Sequence, residues 1–504
     1  MNLYQAFDAL NSGTGHKELL TTPSAERWSY ADMNRQSARL ANSLQALGLQ
    51  PGDRVTVQVH KTPQGLALYL ACLRAGLVYH PLNTAYTASE LDYFIGNAQP
   101  GLIVCDGASI STIAELPAVT EGITVMTLNA DGSGDLTDGA AGRDETFTNL
   151  ERSPDDMAAL LYSSGTTGRP KGIMLSHGNL LSNAQTLVRA WGFNERDRLL
   201  HALPIFHVHG LFVAIHCALL SGCSMRWLSH FDTPEVISAL PDCTVMMGVP
   251  TYYTRLLAED TFTRDRCADM RLFVSGSAPL LPETFHAFEQ RTGHRILERY
   301  GMSETGMNSS NPLQGERRPG TVGPALPGVE LRVVDDAGTS LPTDTPGNLQ
   351  VRGPNVFKGY WRMPEKTRED YTDDGFFDTG DQASISADGF ITIVGRAKDM
   401  IICGGLNVYP KELELFLNDL EGVRESAVVG APDADFGEVV VAIIVGDGSR
   451  PLADDDIITP CRGHLANFKV PKRVLFVKEL PRNSMGKVQK NVLREQLHSP
   501  IDSA

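Results

Sequence analysis

The sequence predicts an α/β protein, with a large N-terminal domain of layered α/β sheets that includes a β-rich subdomain, followed by a smaller, mobile α+β C-terminal domain. Three observations carry this. Helix-period segments and short apolar runs alternate from Ser29 to Tyr300, the pattern of a mainly parallel sheet. Several of those runs end in similar loops of small, charged or aromatic residues. From Gly328 the pattern changes to shorter β-rich segments, ahead of a compact module after Lys398.

In chain order, Ser29-Tyr30-Ala31-Asp32 reads as a helix start with a capping box. Met33, Leu40, Leu44 and Leu47 share one face before Gly48 ends the helix. Strand 55–59, helix 63–75 and strands 102–106 and 123–128 follow, and 129–142, rich in Gly, Asp and Thr, reads as a surface linker. The apolar run 157–161 is a strand, 177–191 a helix, and 199–203 a strand carrying Pro204-Ile205-Phe206-His207-Val208-His209-Gly210 on its outgoing loop. Runs 246–250, 272–277 and 297–301 repeat that form. Ligands of doubly wound sheets bind outside the carboxyl ends of the strands, so these loops are expected to converge on one cleft. Strands 329–334, 348–353 and 390–394 come next. After Lys398 stand helix 411–420, strands 425–429 and 439–445, helix 454–465 and strand 474–477. A boundary at Arg396-Ala397-Lys398-Asp399 divides the chain into domains 1–397 and 398–504.

A net charge of −16 opposes binding to nucleic acid or anionic membranes, which need basic patches. No apolar stretch approaches the roughly 20 residues of a membrane helix. Met1-Asn2-Leu3-Tyr4-Gln5 has neither a basic leader nor a cleavable apolar segment, so a cytoplasmic location is expected. The 8 cysteines are dispersed with no Cys-x-x-Cys pair and read as reduced core thiols. Composition sets no oligomeric state.

The strand at 157–161 leads into Ser163-Ser164-Gly165-Thr166-Thr167-Gly168-Arg169-Pro170-Lys171-Gly172. Glycines, hydroxyls and a lysine at a strand end make an anion cradle, and a nucleotide polyphosphate is the expected occupant. A P-loop is a poor fit, because that motif needs Gly-Lys followed by Ser or Thr, whereas Lys171 stands between Pro170 and Gly172.

With this loop stand Ser275 to Pro279, Tyr300-Gly301-Met302-Ser303-Glu304, Thr379-Gly380-Asp381, Gly395-Arg396-Ala397-Lys398-Asp399 and Pro481-Arg482-Asn483-Ser484-Met485-Gly486-Lys487. In this order and over nearly the whole length, the chain resembles the AMP-forming acyl-CoA synthetase family of adenylate-forming enzymes. The resemblance implies ATP, Mg²⁺ and coenzyme A, the last as co-substrate. It implies that Ser163, Ser164, Gly165, Thr166, Thr167, Gly168 and Lys171 embrace the phosphates, and that Glu304 and Thr166 hold the metal. Ser277, Ala278, Pro279, Glu298, Tyr300, Gly301, Met302 and Ser303 would line the nucleotide site, Tyr300 stacking on adenine and Ser303 meeting phosphate. Asp381 would take the ribose hydroxyls, with Arg396 as a second ribose or phosphate contact. Lys487 would be the adenylation lysine and Lys398 the hinge, and Gly404 and Gly405 would lie along pantetheine. Ser303 stands where the family more often has threonine, which keeps the hydroxyl.

The acid is read from Arg299. Many relatives have glycine before the Tyr-Gly of this motif, a position that lines the acyl pocket. A buried guanidinium demands an anion, so a second substrate carboxylate is its expected partner, with His207 and Ser277 hydrogen-bonding the same small diacid. The alternative is that Arg299 pairs with Glu298 or another protein carboxylate. The Leu297 to Thr305 context, followed by Asn308-Ser309-Ser310-Asn311-Pro312, is similar to that of the malonate-activating members. Malonate or a similar small dicarboxylate is therefore expected, methylmalonate included, with Lys487, Glu304 and His207 as catalytic residues. Another small-acid CoA ligase and a carrier-protein-loading enzyme stay open.

Overall fold

The helix Pro63–Arg74 lies at the centre of the molecule. Thr62 caps it by accepting the Gly65 N–H at 3.0 Å, and Pro63 opens its first turn, where a missing N–H costs nothing. Apart from Gln64 every residue in it is buried. It is apolar all round, as a helix covered by protein on every side must be. The computed structural model describes all residues except 1, 12–14, 121, 164–169, 404–405, 434–435, 466, 484–485 and 499–504.

Two large sheets share the hydrophobic cluster to which this helix belongs. The eight-stranded sheet runs in the spatial order Gly306–Ser310, Leu297–Met302, Leu272–Ser275, Val245–Gly248, Arg198–His201, Ser224–Trp227, Glu18–Thr21, Arg27–Ser29. The six-stranded sheet runs Thr124–Thr127, Leu102–Cys105, Arg54–Gln58, Val78–Pro81, Met157–Ser163, Lys171–Ser176. Their inner pairings are parallel; antiparallel strands close both edges of the eight-stranded sheet and one edge of the six-stranded sheet, whose other edge strand, Thr124–Thr127, is parallel to its neighbour. A four-stranded antiparallel sheet, Glu330–Val334 to Ile391–Arg396, forms the β-rich part. The C-terminal segment builds a five-stranded sheet around the long pair Val423–Asp433 and Gly437–Gly446.

The capping box at Ser29 is present: its hydroxyl accepts the Asp32 N–H, and the Asp32 carboxylate accepts the Ser29 N–H at 2.9 Å. Expected strands and helices differ from the observed ones mainly by one or two residues at their ends. Two readings need correction. The stretch read as a linker, 129–142, contains the helix Asp135–Ala140, whose Leu136 and Ala140 are buried in the main core beside the helix Tyr30–Ala46. The Tyr300 to Met302 segment is not a loop beyond a strand end. It continues the strand and returns through Ser303–Thr305 into Gly306–Ser310, with Arg299 opposite Ser310.

All eight cysteines are buried free thiols, and no group of three or more His, Cys, Asp or Glu able to hold a metal occurs among the described residues. Among those residues no helix is long and apolar enough to cross a membrane.

Candidate functional site

The carboxyl ends of the eight-stranded sheet and the last strands of the four-stranded sheet meet around Tyr300. Its hydroxyl donates to Asp381 Oδ2 at 2.5 Å, and Arg396 Nε holds the other Asp381 oxygen at 2.6 Å. Asp381 is fixed from behind, its N–H donating to Thr379 Oγ1, which itself donates to the Leu349 carbonyl. A carboxylate with two oxygens accepts about four hydrogen bonds, so Asp381 keeps capacity for a diol.

Glu304 is buried in the turn after the strand, where burial raises its carboxyl above the ordinary range while Arg396 and Lys171 act in the opposite sense. It forms no ion pair among the described residues. A buried carboxylate facing two cations suits a hard oxygen ligand for a hard cation. Lys171 lies over the Tyr360 ring at 4.5 Å and 3.7 Å from Asp370. The strands Met157–Ser163 and Lys171–Ser176 pair with Ser163 opposite Lys171, so the anion loop joins two antiparallel strands. Ser164, Gly165, Thr166, Thr167 and Gly168 lie outside the described residues, as do Gly404 and Gly405.

Lys487 comes into the same cluster from the C-terminal domain. Solvent reaches it, yet protein surrounds it, as in an open cleft. That surrounding mass, then Arg396, lower its ammonium below the usual lysine range, with Asp381 opposing. The preceding Gly486 rests on Thr251 of the large domain: a Cβ built there would stand 3.0 Å from Thr251 Oγ1. Lys398 is near Lys487 and is lowered to about 8 by partial burial, with Arg396, Lys487 and Arg494 adding to it. Its neighbour Asp399 pairs with Arg494 at 2.7 Å.

Arg299 occupies a second part of the site. It is 3% exposed, and its Nε and Nη2 have no hydrogen-bond partner. Among the described residues it forms no ion pair. Pairing with Glu298 does not occur, because adjacent residues of a strand point to opposite faces. Burial lowers the guanidinium to about 9, and Tyr253 is the group that opposes this. Ser277 turns the chain at the end of Leu272–Ser275 with φ +71°, and its hydroxyl meets His209 Nδ1 at 3.3 Å. His207 packs against Phe206 with its Nε2 buried and unpartnered, and it lines a cavity with Asn83, Tyr86, Tyr162 and Ser303. Burial lowers His207 to about 4. Ala278 and Pro279 continue the loop, Pro279 exposed, and Gly301 and Met302 are half-buried in the strand.

Sequence reasoning did not assign His209 or Tyr253. His209 stands two residues after His207 in the same motif, and in the structure it opens the π-helix His209–Ile215, a form frequent at functional sites that the sequence did not announce. Gly210 permits the close approach there, because a Cβ would collide with the Pro204 carbonyl. Tyr253 offered no local signal.

Glu298 faces away from Arg299. Its Oε1 accepts the Leu280 N–H at 3.0 Å, its Oε2 is unpartnered, and burial raises the carboxyl to about 7. The folded protein therefore holds a proton that the unfolded chain releases between the ordinary carboxylate value and about 7, and stability falls as pH rises through that window. Glu298→Gln is expected to flatten this fall. Melting temperatures of both proteins from about pH 5 to pH 8 check it, parallel profiles being the contrary outcome.

Residues 7–361 match the family model described as AMP-binding enzyme, and residues 412–487 match the AMP-binding enzyme C-terminal domain. The chain is 35% identical over 498 residues to the probable CoA ligase CCL8 of Humulus lupulus, covering 91% of this chain and 82% of that protein. It is 33% identical over 490 residues to the malonate–CoA ligase of Arabidopsis thaliana, with coverage of 90% and 80%. The crystal structure of ATP-bound MatB from Rhodopseudomonas palustris is 53% identical and similar at a TM-score of 0.96 over 98% of each chain.

Proposed function

Because the chain belongs to the AMP-binding enzyme family, with both its large and its C-terminal domain present, we propose that it is a malonyl-CoA synthetase: ATP, malonate and CoA give malonyl-CoA, AMP and diphosphate through a malonyl-adenylate. The observation that carries the choice of acid is the buried Arg299, with two unpartnered guanidinium nitrogens and, among the described residues, no protein carboxylate paired with it. An isolated buried cation is costly, and a substrate whose second carboxylate meets it recovers that cost on binding. The name of the Arabidopsis relative agrees with this choice of acid, and the ATP bound in the MatB crystal agrees with the nucleotide.

In the first half-reaction a malonate carboxylate oxygen attacks the α-phosphorus of ATP, and the bond to the bridging oxygen breaks as diphosphate leaves. Two anions must approach, and Lys487, beside Asp381 and Arg396, is placed to bridge them. Asp381 receives the ribose hydroxyls, Tyr300 lies against the base, and Lys171 faces the phosphates. Glu304 is the residue that would hold Mg²⁺, which offsets triphosphate charge when bound. Arg299, with Ser277 and His209 behind it, receives the distal carboxylate, and His207 bounds the pocket. In the second half-reaction the CoA thiolate attacks the acyl carbon and AMP leaves. Our reading of the domain boundary, 1–397 and 398–504, makes Lys398 the hinge that withdraws Lys487 between the two steps. In the observed pose Gly486 lies close to Thr251 of the large domain, which fits the first half-reaction on this reading.

An AMP-release assay over malonate, methylmalonate, succinate, acetate and octanoate tests the function. Malonate is expected to give the highest kcat/KM. Methylmalonate should follow closely, since one methyl group discriminates by only about 1–3 kcal/mol. Release with acetate or octanoate and none with malonate would overturn the proposal.

A further inference from the structure

Arg299 does not fill its pocket alone. The parallel strands Leu272–Ser275 and Leu297–Met302 pair Val274 with Leu297 and Ser275 with Glu298, so the register brings Gly276 level with Arg299. Side chains at level positions of neighbouring strands leave the same face and compete for the same space. At this level one of the two residues has no side chain, and the guanidinium lies across the vacated place. A Cβ built on Gly276 would fall 2.5 Å from Arg299 Nε and 2.6 Å from Nη1, closer than real Cβ contacts come. The obstacle is not backbone conformation, since Gly276 is absent from the residues with positive φ and an alanine could adopt its backbone without strain. Nor is there slack on the far side: Gly276 is buried, and Arg299 is enclosed near Tyr253 and His209.

We infer that Gly276 is a specificity-determining residue, the seat that admits the Arg299 guanidinium, so that selectivity for a dicarboxylate belongs to the Gly276–Arg299 pair rather than to the arginine alone. The inference rests on Arg299 facing the substrate's distal carboxylate. A methyl group at 276 has to displace the guanidinium, which as the far end of a long side chain gives way before the surrounding backbone does. Displacement moves the charge off the line of the incoming carboxylate while leaving the ATP residues Tyr300, Asp381 and Arg396 in place.

The test is a double-mutant cycle with Gly276→Ala, Arg299→Gly and the double variant, measuring kcat/KM for malonate and for propionate, with the KM for ATP and the melting temperature recorded for each. Coupling between packed neighbours predicts that Gly276→Ala lowers malonate kcat/KM by about ten- to a hundredfold in the presence of Arg299 and by less than about threefold in its absence. The ATP KM should be unchanged, and propionate should lose less than malonate. Equal losses in both backgrounds, or no loss in the first, would overturn the inference. If Arg299→Gly leaves malonate turnover intact, the assignment of Arg299 fails and this inference with it. An intact Arg299 effect without coupling removes Gly276 alone. A crystal structure of Gly276→Ala is an independent readout, and a guanidinium found in its original place would also overturn the inference.

Discussion

Arg299→Gly is expected to lower kcat/KM for malonate by about 30- to 5000-fold, the roughly 2–5 kcal/mol lost when one partner of a buried, hydrogen-bonded charge pair is deleted. The loss is large because the pocket offers no substitute charge: Arg299 is 3% exposed and no other cation is seen to share its surroundings among the described residues. His209 does not take its place, since burial, the largest cause of its depression and one that persists without the arginine, holds its imidazole below the usual histidine range. The same substitution should raise the relative rate with short monocarboxylates, because the space left is then uncharged. The KM for ATP is expected to stay within a few-fold, as Asp381, Arg396 and Tyr300 form a separate hydrogen-bonded group. Steady-state kinetics with malonate and butyrate at saturating ATP and CoA give the result, and an unchanged malonate rate would remove the arginine from the acid pocket.

Lys487→Ala is expected to slow adenylate formation by about 100- to 1000-fold, the usual effect of removing one preorganised charge from a developing anion. It should leave conversion of supplied malonyl-adenylate and CoA to malonyl-CoA nearly intact. The split follows from position. The lysine lies near Arg396 and Asp381 in a pose in which Gly486, beside it, approaches Thr251 of the large domain. In the rotated pose proposed for thioester formation the lysine has left. Malonate-dependent exchange between ATP and diphosphate reads the first step, and release of AMP from the supplied adenylate reads the second. Equal losses in the two would show that Lys487 supports the fold or both steps alike.

What the sequence disclosed here followed the range of the interactions involved. The capping box at Ser29 and the proline-led helix at Pro63 involve neighbours three or four residues apart, and both were legible. The helix Asp135–Ala140 was hidden because only Leu136 and Ala140 mark its buried face, among glycines and aspartates. The strand-to-hairpin course after Arg299 depends on pairing with Gly306–Ser310, which no local propensity announces. At the site, residue types suggested an anion loop, a diol-binding aspartate and an arginine wanting a partner. Their assembly was not readable from spacing: Tyr300 and Asp381 stand 81 residues apart, and Arg299 is solitary only because its neighbours across the sheet bear no carboxylate facing it. The resemblance to known synthetases supplied those roles, while the Arg299 surroundings came from the fold.

The pairing of Ser163 with Lys171 has a consequence for how this protein can change. The face that Lys171 presents is set by the ladder behind it, in which Leu161 lies opposite Ile173 and Tyr162 opposite Gly172. A slip of one residue in that pairing would turn the lysine away from Glu304 towards the opposite surface, because a strand alternates its faces at every residue. The position of the charge is thus kept by apolar residues that never meet an anion, and changes at those pairs reach it as surely as a change at Lys171 itself.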